Sequence, residues 1–249
     1  MDVLGVMERR HATRVFDGEA LTNGERDTVS RLIADAPHTD RTVTLDLSLA
    51  GETGFDENLD AVSYYGRFKD VPACVTLRTP ASADGLRAAG CKGESLVLAL
   101  VAHGFDTCWA GGAIVKADGT RVDADADGFA DLVAAALPDA HFVIDIVFGH
   151  ALREGHPHKS KPIAELLIGA GDGTAPAVES LPNWFVNGMR GVQLAPSALN
   201  KQTVRFAPGA GAFDVRVQCL PGLLTIVNSG VAMCHFELAS GVPVDFDID

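Results

Sequence analysis

The stretch that decides the fold is GESLVLALVAHGFDTCWAGG, residues 93–112. Gly93–Gly104 predicts a helix, because apolar residues fill most of the run and a glycine ends it. Thr107–Ala110 predicts a strand that follows directly. Gly111-Gly112 then permits either a close approach of the backbone to a flat ligand or an ordinary tight turn. This unit indicates a fold that contains both helices and strands.

Helices and strands alternate on both sides of this unit, which predicts the α+β class. Before it, the predicted elements are helices over Val3–Arg10 and Asn23–Ala36 and strands over Arg41–Leu49 and Asp70–Leu77. After it, they are helices over Gly128–Leu137, Ile163–Ile168, Leu181–Leu194 and Ser229–Ala239, and strands over His141–Gly149, Val204–Phe206, Phe213–Cys219 and Leu223–Val227.

The stretch Gly169–Pro176 is rich in glycine and small residues, as linkers are. We therefore expect a larger part over residues 1–168, a linker over 169–176 and a smaller part over 177–249.

Composition excludes several classes of partner. The 249 residues carry a formal net charge of -13, which argues against nucleic acid and against an anionic membrane surface. Five widely spread cysteines without a C-x-x-C pair suggest neither a disulfide framework nor a thiolate metal site. The N-terminus lacks a signal-peptide pattern, and we expect a cytoplasmic protein.

Two clusters of basic residues could hold an anion. Arg9–Arg14 places three guanidinium groups at a predicted helix end, where they suit either a phosphate or the helix dipole. His156–Pro162 places two lysines just before a predicted helix start, which is either a phosphate seat or a solvated loop. A metal site at the His-x-His pair is not predicted, because a third ligand is missing and the lysines would repel a cation.

A third segment, Leu194–Gln202, gathers hydrogen-bonding side chains on one turn. Its amides can donate and accept, which suits the edge of a pyrimidine-like ring, although a capping turn would explain them equally well. Two further patterns carry no prediction. Asp123–Gly128 opens like a calcium loop but has Ala134 where the loop needs glutamate, and Gly209–Gly211 does not complete a dinucleotide fingerprint.

Together and in this order, these segments resemble the nitroreductase family of flavoproteins. Arg10–Asp17 is similar to the family's Arg-(Arg/His)-Ser-x-(Arg/Lys)-x-Phe motif, with Ala12 in place of serine. Gly104–Gly112 is similar to the family's apolar helix end and the loop against the flavin. The basic pair near the FMN phosphate is matched by Lys159 and Lys161.

The late segment completes the resemblance. Ala195–Gln202 is similar to the family's (Ala/Ser)-Pro-Ser-x-x-Asn-x-Gln-Pro-Trp motif, with Thr203 and Val204 in place of Pro-Trp. In ordinary family members this motif comes early and reaches FMN across a homodimer interface. Here the motif follows the predicted linker, so the resemblance implies a fused pseudo-dimer with one complete site. Because both halves of that site lie on one chain, the resemblance is compatible with a monomer.

The resemblance implies a nitroreductase-like α+β fold, with a central mixed or antiparallel sheet flanked by helices and two unequal pseudo-symmetric halves. It implies FMN as the cofactor and ping-pong hydride transfer from NAD(P)H to a nitroaromatic, quinone or similar small acceptor, with no separate catalytic acid and no metal. The implied cofactor-binding residues are Arg10, His11, Ala12, Arg14, Trp109, Ala110, Gly111, Gly112, Lys159, Lys161, Pro196, Ser197, Asn200 and Gln202.

Two other classes stay open from the sequence. A flavin carrier or sensor without turnover would share the same motifs, and it would bind flavin that NAD(P)H cannot reduce. A cofactor-free interaction module would not take up added FMN.

Overall fold

The computed structural model describes residues 2–36, 42–52, 55, 68–153, 155–156 and 159–248. The chain divides into two compact units. The larger unit is Arg9–Pro157, and the smaller unit joins Met1–Glu8 to His158–Asp249. Among the described residues, no helix is long and apolar enough to cross a membrane.

An antiparallel sheet forms the centre of the larger unit. Its described strands run in the order β1-β2-β5-β3-β4. They are β1 (Thr44–Leu49), β2 (Ala73–Pro80), β3 (Asp106–Val115), β4 (Arg121–Asp123) and β5 (His141–Gly149). The bounds of β5 are those predicted, whereas the short β4 was not predicted.

Three of the described helices belong to the larger unit, and a fourth precedes it. In chain order they are α1 (Val3–Arg9), α2 (Asn23–Asp35), α3 (Ala83–Ala102) and α4 (Phe129–Ala135). Helix α2 begins with a capping box. The Thr22 side chain accepts a hydrogen bond from Glu25 N, and the Glu25 side chain accepts one from Thr22 N.

The long helix α3 covers one side of the sheet and packs against β2, β3 and β5. It begins ten residues before the predicted start at Gly93, because Ser82 caps its first turn by accepting from Gly85 N at 3.2 Å. Large apolar side chains are completely buried on the helix and on the strands beneath it. They include Leu86, Leu96 and Leu100 of α3 and Leu77, Ile114, Phe142 and Phe148 of the sheet.

The smaller unit has its own sheet and its own core. Its described strands are β6 (Val204–Pro208), β7 (Asp214–Cys219) and β8 (Asp245–Ile248), with β7 in the middle. Strands β6 and β7 are antiparallel, and β7 and β8 are parallel. The helices α5 (Asn183–Leu194) and α6 (Thr225–Ser240) pack against each other, and Phe185, Phe206 and Phe236 are buried in the core.

One predicted strand of the smaller unit is wrong. Leu223–Val227 was expected to be extended, but α6 begins at Thr225. A short run of β-branched and apolar residues cannot distinguish a strand from a buried helix. The helix that forms instead packs closely on α5, where a Cβ at Gly191 would lie 2.5 Å from His235 O.

The predicted linker, residues 169–176, lies inside the smaller unit, and the division between the units falls at Pro157 and His158 instead. The reason is local packing. Leu166 and Leu167, which precede the glycine-rich stretch, are buried in the core of the smaller unit, and Leu167 forms a bridge with Phe206 of β6. The α+β class itself is confirmed.

Gly93→Ala tests the packing of α3 on the sheet. A Cβ at residue 93 would overlap the Trp109 ring and lie 2.9 Å from Cδ2 of Leu77, so we expect a loss of about 1–3 kcal/mol in the free energy of unfolding. The matched control is Gly24→Ala in α2, where nothing lies within 4 Å, and stability should be unchanged or higher by up to about 1 kcal/mol. Urea denaturation measures both, and equal stability of the two variants would contradict this packing.

Candidate functional site

Within the larger unit, short backbone pairings join the segment that follows α1 to β3 and to Lys69. Ala12 forms a parallel bridge with Thr107 of β3, and Thr13 N donates to Thr107 O at 3.0 Å. Further along, Phe16 N donates to the carbonyl of Lys69 at 3.1 Å, and Phe16 itself is completely buried. These contacts fix the predicted arginine motif next to the predicted glycine loop.

Arg10 is the buried member of the arginine motif, with 6% of its surface exposed. Burial lowers the pKa of Arg10, and the charges of Glu94 and Cys108 oppose that effect. Its Nε atom is buried without a hydrogen-bond partner among the described residues. An unpaired buried donor costs about 1–3 kcal/mol, so this atom is available to an acceptor that the described residues do not supply.

Neighbouring hydroxyl groups share this property. The Oγ1 atoms of Thr13 and Thr107 are also buried without a partner in the described part of the chain. A backbone hydrogen bond joins Thr13 to Thr107, so the two hydroxyl groups lie on neighbouring segments. By contrast, Ala12 and Arg14 are exposed and His11 is half-buried.

Gly111 and Gly112 form a bulge in β3. Ala110 pairs with Asp145 and Ala113 pairs with Val143, so two residues of β3 stand opposite one residue of β5. The φ angles of the glycines are +70° and +136°, a region that side chains other than glycine rarely adopt. The predicted glycine loop is therefore a sheet irregularity that turns the backbone, as bulges near active sites do.

A buried carboxyl group stands opposite this bulge. Asp145 is 8% exposed, and its Oδ1 accepts from Thr76 Oγ1 at 2.5 Å. Burial raises the pKa of Asp145 to about 6, while the hydrogen bond from Thr76 lowers it. Sequence reasoning did not single out this residue, although an aspartate in the apolar run of β5 was a visible signal.

Glu94 is a second buried carboxylate that sequence reasoning missed. It lies in the apolar run of α3 and is completely buried. Its Oε2 accepts from Trp109 Nε1 at 2.7 Å. The predicted site residue Trp109 is thereby fixed by its indole N–H, and its ring is half-buried.

In the smaller unit, the amides of the late motif bind the backbone of the basic segment. Asn200 Nδ2 and Gln202 Nε2 each donate to Lys159 O at 2.9 Å. Gln202 Oε1 accepts from Lys161 N at 2.8 Å, and Ser197 Oγ accepts from Gln202 N at 2.9 Å. The structure therefore brings these five predicted residues together, and the amides act first as a clamp on the segment 159–161.

The turn that carries these amides is strained. Leu199, Asn200 and Gln202 have φ angles of +52°, +52° and +49°, in the left-handed region. Such conformations cost about 1–2 kcal/mol per residue outside glycine, and they cluster at functional sites. Leu199 is 67% exposed, so burial of its side chain does not offset the cost.

A small cavity of about 20 Å³ lies beside the turn, which is the size of one water molecule. Pro196, Ser197 and Gln202 are among its lining residues, together with Asn228. Asn228 Oδ1 accepts from Ala198 N at 3.1 Å and holds the start of the turn.

The residues that depart from the family's Pro-Trp are part of the local packing. Thr203 is 9% exposed, and its Oγ1 lies 2.8 Å from Oγ1 of Thr225. Val204 opens β6 and is buried in the core of the smaller unit.

The predicted residues thus form two sets, one in each unit. The larger unit holds Arg10, His11, Ala12, Arg14, Trp109, Ala110, Gly111 and Gly112, and the smaller unit holds Lys159, Lys161, Pro196, Ser197, Asn200 and Gln202. Pro157 and His158 of the basic segment lie outside the described residues. Within the described ranges, no group of three or more His, Cys, Asp or Glu side chains could hold a metal ion.

Comparisons with known proteins identify the family of the chain. Residues 2–240 match the family model described as "Putative TM nitroreductase". The crystal structure of a "putative nitroreductase" from Thermotoga maritima is 22% identical, with a TM-score of 0.60, and the match covers 96% of this chain and 83% of that one. A Desulfovibrio desulfuricans "putative nitroreductase" in complex with FMN is 17% identical, with a TM-score of 0.48, over 68% of this chain and 96% of that one. No curated protein is significantly similar to the chain.

Asp145→Asn should change how stability depends on pH. Because the pKa of Asp145 is raised from 3.8 to about 6, its contribution to stability is fully present below pH 3.8 and is lost as the pH rises through about 6. Relative to wild type, Asp145→Asn should therefore gain roughly 3 kcal/mol between about pH 3 and pH 8. Urea denaturation across that range measures the difference, with the exposed Asp46→Asn on β1 as the surface control. Parallel curves for Asp145→Asn and wild type would show that Asp145 is not buried as described.

Leu199→Gly should relieve strain in the amide turn. Glycine adopts the φ of +52° at little steric cost, so we expect the free energy of unfolding to rise by up to about 1 kcal/mol. The control is Leu238→Gly in α6, an exposed helical leucine, whose replacement should lower stability by about 1 kcal/mol. Thermal unfolding distinguishes the two, and a loss of stability in both would mean that residue 199 is not left-handed.

Proposed function

Because this chain belongs to the nitroreductase family, we propose that it is an FMN-dependent oxidoreductase that takes electrons from NAD(P)H and reduces small acceptors such as nitroaromatics or quinones. One observation carries the proposal: the Nε atom of the buried Arg10 has no hydrogen-bond partner among the described residues, and Arg10 lies on the segment that pairs with Thr107 of β3. A cofactor with a phosphate and an electron-rich ring edge supplies the acceptor that this donor lacks.

The residues of the larger unit suit such a cofactor. Arg10 and Arg14 supply positive charge for the phosphate or for the ring edge where reduced flavin accumulates negative charge. The bulge at Gly111 and Gly112 allows the backbone to approach a flat ring without a side chain between them. Trp109 is the aromatic residue next to this bulge.

The smaller unit contributes the second set of residues to the proposal. Lys159 and Lys161 supply further positive charge, and the left-handed turn at Leu199 and Asn200 offers strained backbone of the kind found at binding sites. The side chains of Asn200 and Gln202 hold the lysine segment in place. The amides therefore have two proposed roles. They hold the lysine segment in place, and they make the direct polar contacts with the cofactor that the sequence motif implies.

When bound, FMN would supply the two-electron chemistry between donor and acceptor. The chain supplies binding, orientation and charge, and no side chain is assigned a catalytic proton transfer. We also propose that the motif order reflects a fused pseudo-dimer, with one site per chain and no need for a second subunit. The five widely spread cysteines, without a C-x-x-C pair, suit a reducing cytoplasm.

FMN titration tests the proposal directly. The protein should bind about one FMN per chain, and anaerobic NADH or NADPH should then bleach the flavin absorbance. Two FMN per chain would contradict the single-site proposal. Bound flavin that neither donor can reduce would replace the oxidoreductase with a carrier or sensor, and a lack of FMN uptake would reject flavin binding.

Arg10→Met tests the residue that carries the proposal. Methionine keeps much of the volume but removes the charge, so we expect FMN affinity to fall by at least about tenfold, as for a lost charged hydrogen bond of roughly 1.5–3 kcal/mol. The control is Arg9→Met, because Arg9 is exposed and neighbours Arg10 in the chain. Fluorescence titration with FMN gives both affinities, and equal affinities would remove Arg10 from the site.

Lys159→Ala tests the basic segment of the smaller unit in the same assay. We expect a fall in FMN affinity of about threefold to tenfold, with Lys116→Ala in the larger unit as the control for a lost surface charge. The FMN affinity of Lys159→Ala should also depend less on salt than that of wild type. Unaltered affinity and salt dependence would reject the assignment of Lys159.

A further inference from the structure

Glu94 is a buried carboxylate to which the proposed function assigns no role. It is completely buried in α3, in a run of apolar residues. Glutamate is almost never buried without partners, because the charged form loses several kcal/mol of hydration. Its place in the helix therefore calls for an explanation in terms of the groups that it meets.

This carboxylate acts on two residues of the candidate site, on Trp109 through a hydrogen bond and on Arg10 through its charge. Trp109 Nε1 donates to Glu94 Oε2 at 2.7 Å, which ties the indole to α3. Glu94 is also the foremost of the charges that stabilise protonated Arg10 against the cost of burial. One side chain thus acts both on the buried guanidinium and on the strand that carries the glycine bulge.

Helix α3 has a glycine where the Trp109 ring packs against it. Gly93 precedes Glu94, and a Cβ at Gly93 would overlap the Trp109 ring. The ring therefore lies against the helix backbone at residue 93, and its N–H reaches the carboxylate at residue 94. A residue held at two neighbouring points of a helix has little freedom to move.

We propose that Glu94 is a positioning residue of the cofactor site: it fixes Trp109 and offsets the charge of Arg10, and so limits how strongly Arg10 favours the reduced, negatively charged cofactor. This inference rests on the proposed function. Its physical basis is Coulomb's law, because a negative charge beside the guanidinium weakens the positive potential that an anion would feel. The carboxylate lowers the cofactor's potential and at the same time makes the burial of Arg10 possible.

The midpoint potential of bound FMN tests the electrostatic role. Glu94→Gln keeps the shape and can still accept the indole N–H, but it removes the negative charge. We expect the potential to rise by about 30 mV or more, which corresponds to a tenfold gain in the preference for reduced over oxidised flavin. Trp109→Phe removes the N–H and leaves the carboxylate, so its potential should change much less. A potential of Glu94→Gln equal to that of wild type, with FMN bound, would overturn the proposal.

A double-variant cycle on the FMN-free protein tests the pairing of Glu94 with Arg10. Glu94→Gln and Arg10→Met should each lower the melting temperature, since each removes one of two buried charges that offset each other. The double variant should recover at least half of the summed loss. Strictly additive losses would overturn the pairing, and this result does not depend on whether FMN binds. The cycle therefore separates a failure of this inference from a failure of the proposed function.

Fluorescence of the FMN-free protein tests the hold on Trp109. The chain has two tryptophans, so a Trp184→Phe background leaves Trp109 as the sole emitter. In that background, Glu94→Gln should keep the emission maximum of the parent, and Glu94→Leu, which lacks any acceptor, should shift it. An unshifted maximum in Glu94→Leu would mean that Glu94 does not hold the indole.

Discussion

A guanidinium group cannot be buried without a compensating charge, and the burial of Arg10 is the constraint on which the larger unit's candidate site depends. The compensation comes from Glu94, which lies on a different element, and the backbone pairing of Ala12 with Thr107 holds the arginine segment in place. The compensation is incomplete, since the Arg10 Nε has no partner in the described chain. A fold selected only for stability would replace both buried charges with hydrophobic side chains of similar volume, because exchange of a whole buried pair is often neutral or stabilising. Its retention is what an anion-binding role explains.

The smaller unit shows the same principle in its backbone. Its amide turn holds Leu199, Asn200 and Gln202 in left-handed conformations that the surrounding hydrogen bonds must enforce. The bonds from Asn200 and Gln202 to Lys159 O fix the basic segment at the same time. The strained turn and the hydrogen bonds to Lys159 therefore belong to one local structure. The strain lowers local stability, and the hydrogen bonds fix the path of the basic segment. Natural sequences tend to break local rules in this way at functional sites.

The sequence predicted the elements whose signal is local and could not predict those that depend on distant contacts. The strand His141–Gly149 and the start of α2 follow from an apolar run and from a capping residue, so both were predictable. The strand predicted over Leu223–Val227 was wrong because a short apolar run does not distinguish a strand from the first turn of a buried helix, and α6 begins at Thr225. Glu94 and Asp145 were missed for a related reason: a charge in an apolar run signals a special position, but its partners become visible only in three dimensions.

The departures from the family motif bear on whether the chain has kept a cofactor-binding role. Thr203 and Val204 replace Pro-Trp, yet Thr203 pairs with Thr225 and Val204 is buried in the core of the smaller unit. These substitutions are accommodated by packing, and they leave Ser197, Asn200 and Gln202 in a hydrogen-bonded turn. A chain that had lost its ligand would have no physical reason to maintain a buried Nε donor without a partner among the described residues, a glycine bulge and a strained amide turn, each of which costs stability. The presence of these destabilising features supports a functional cofactor site more strongly than the number of matched motif residues does.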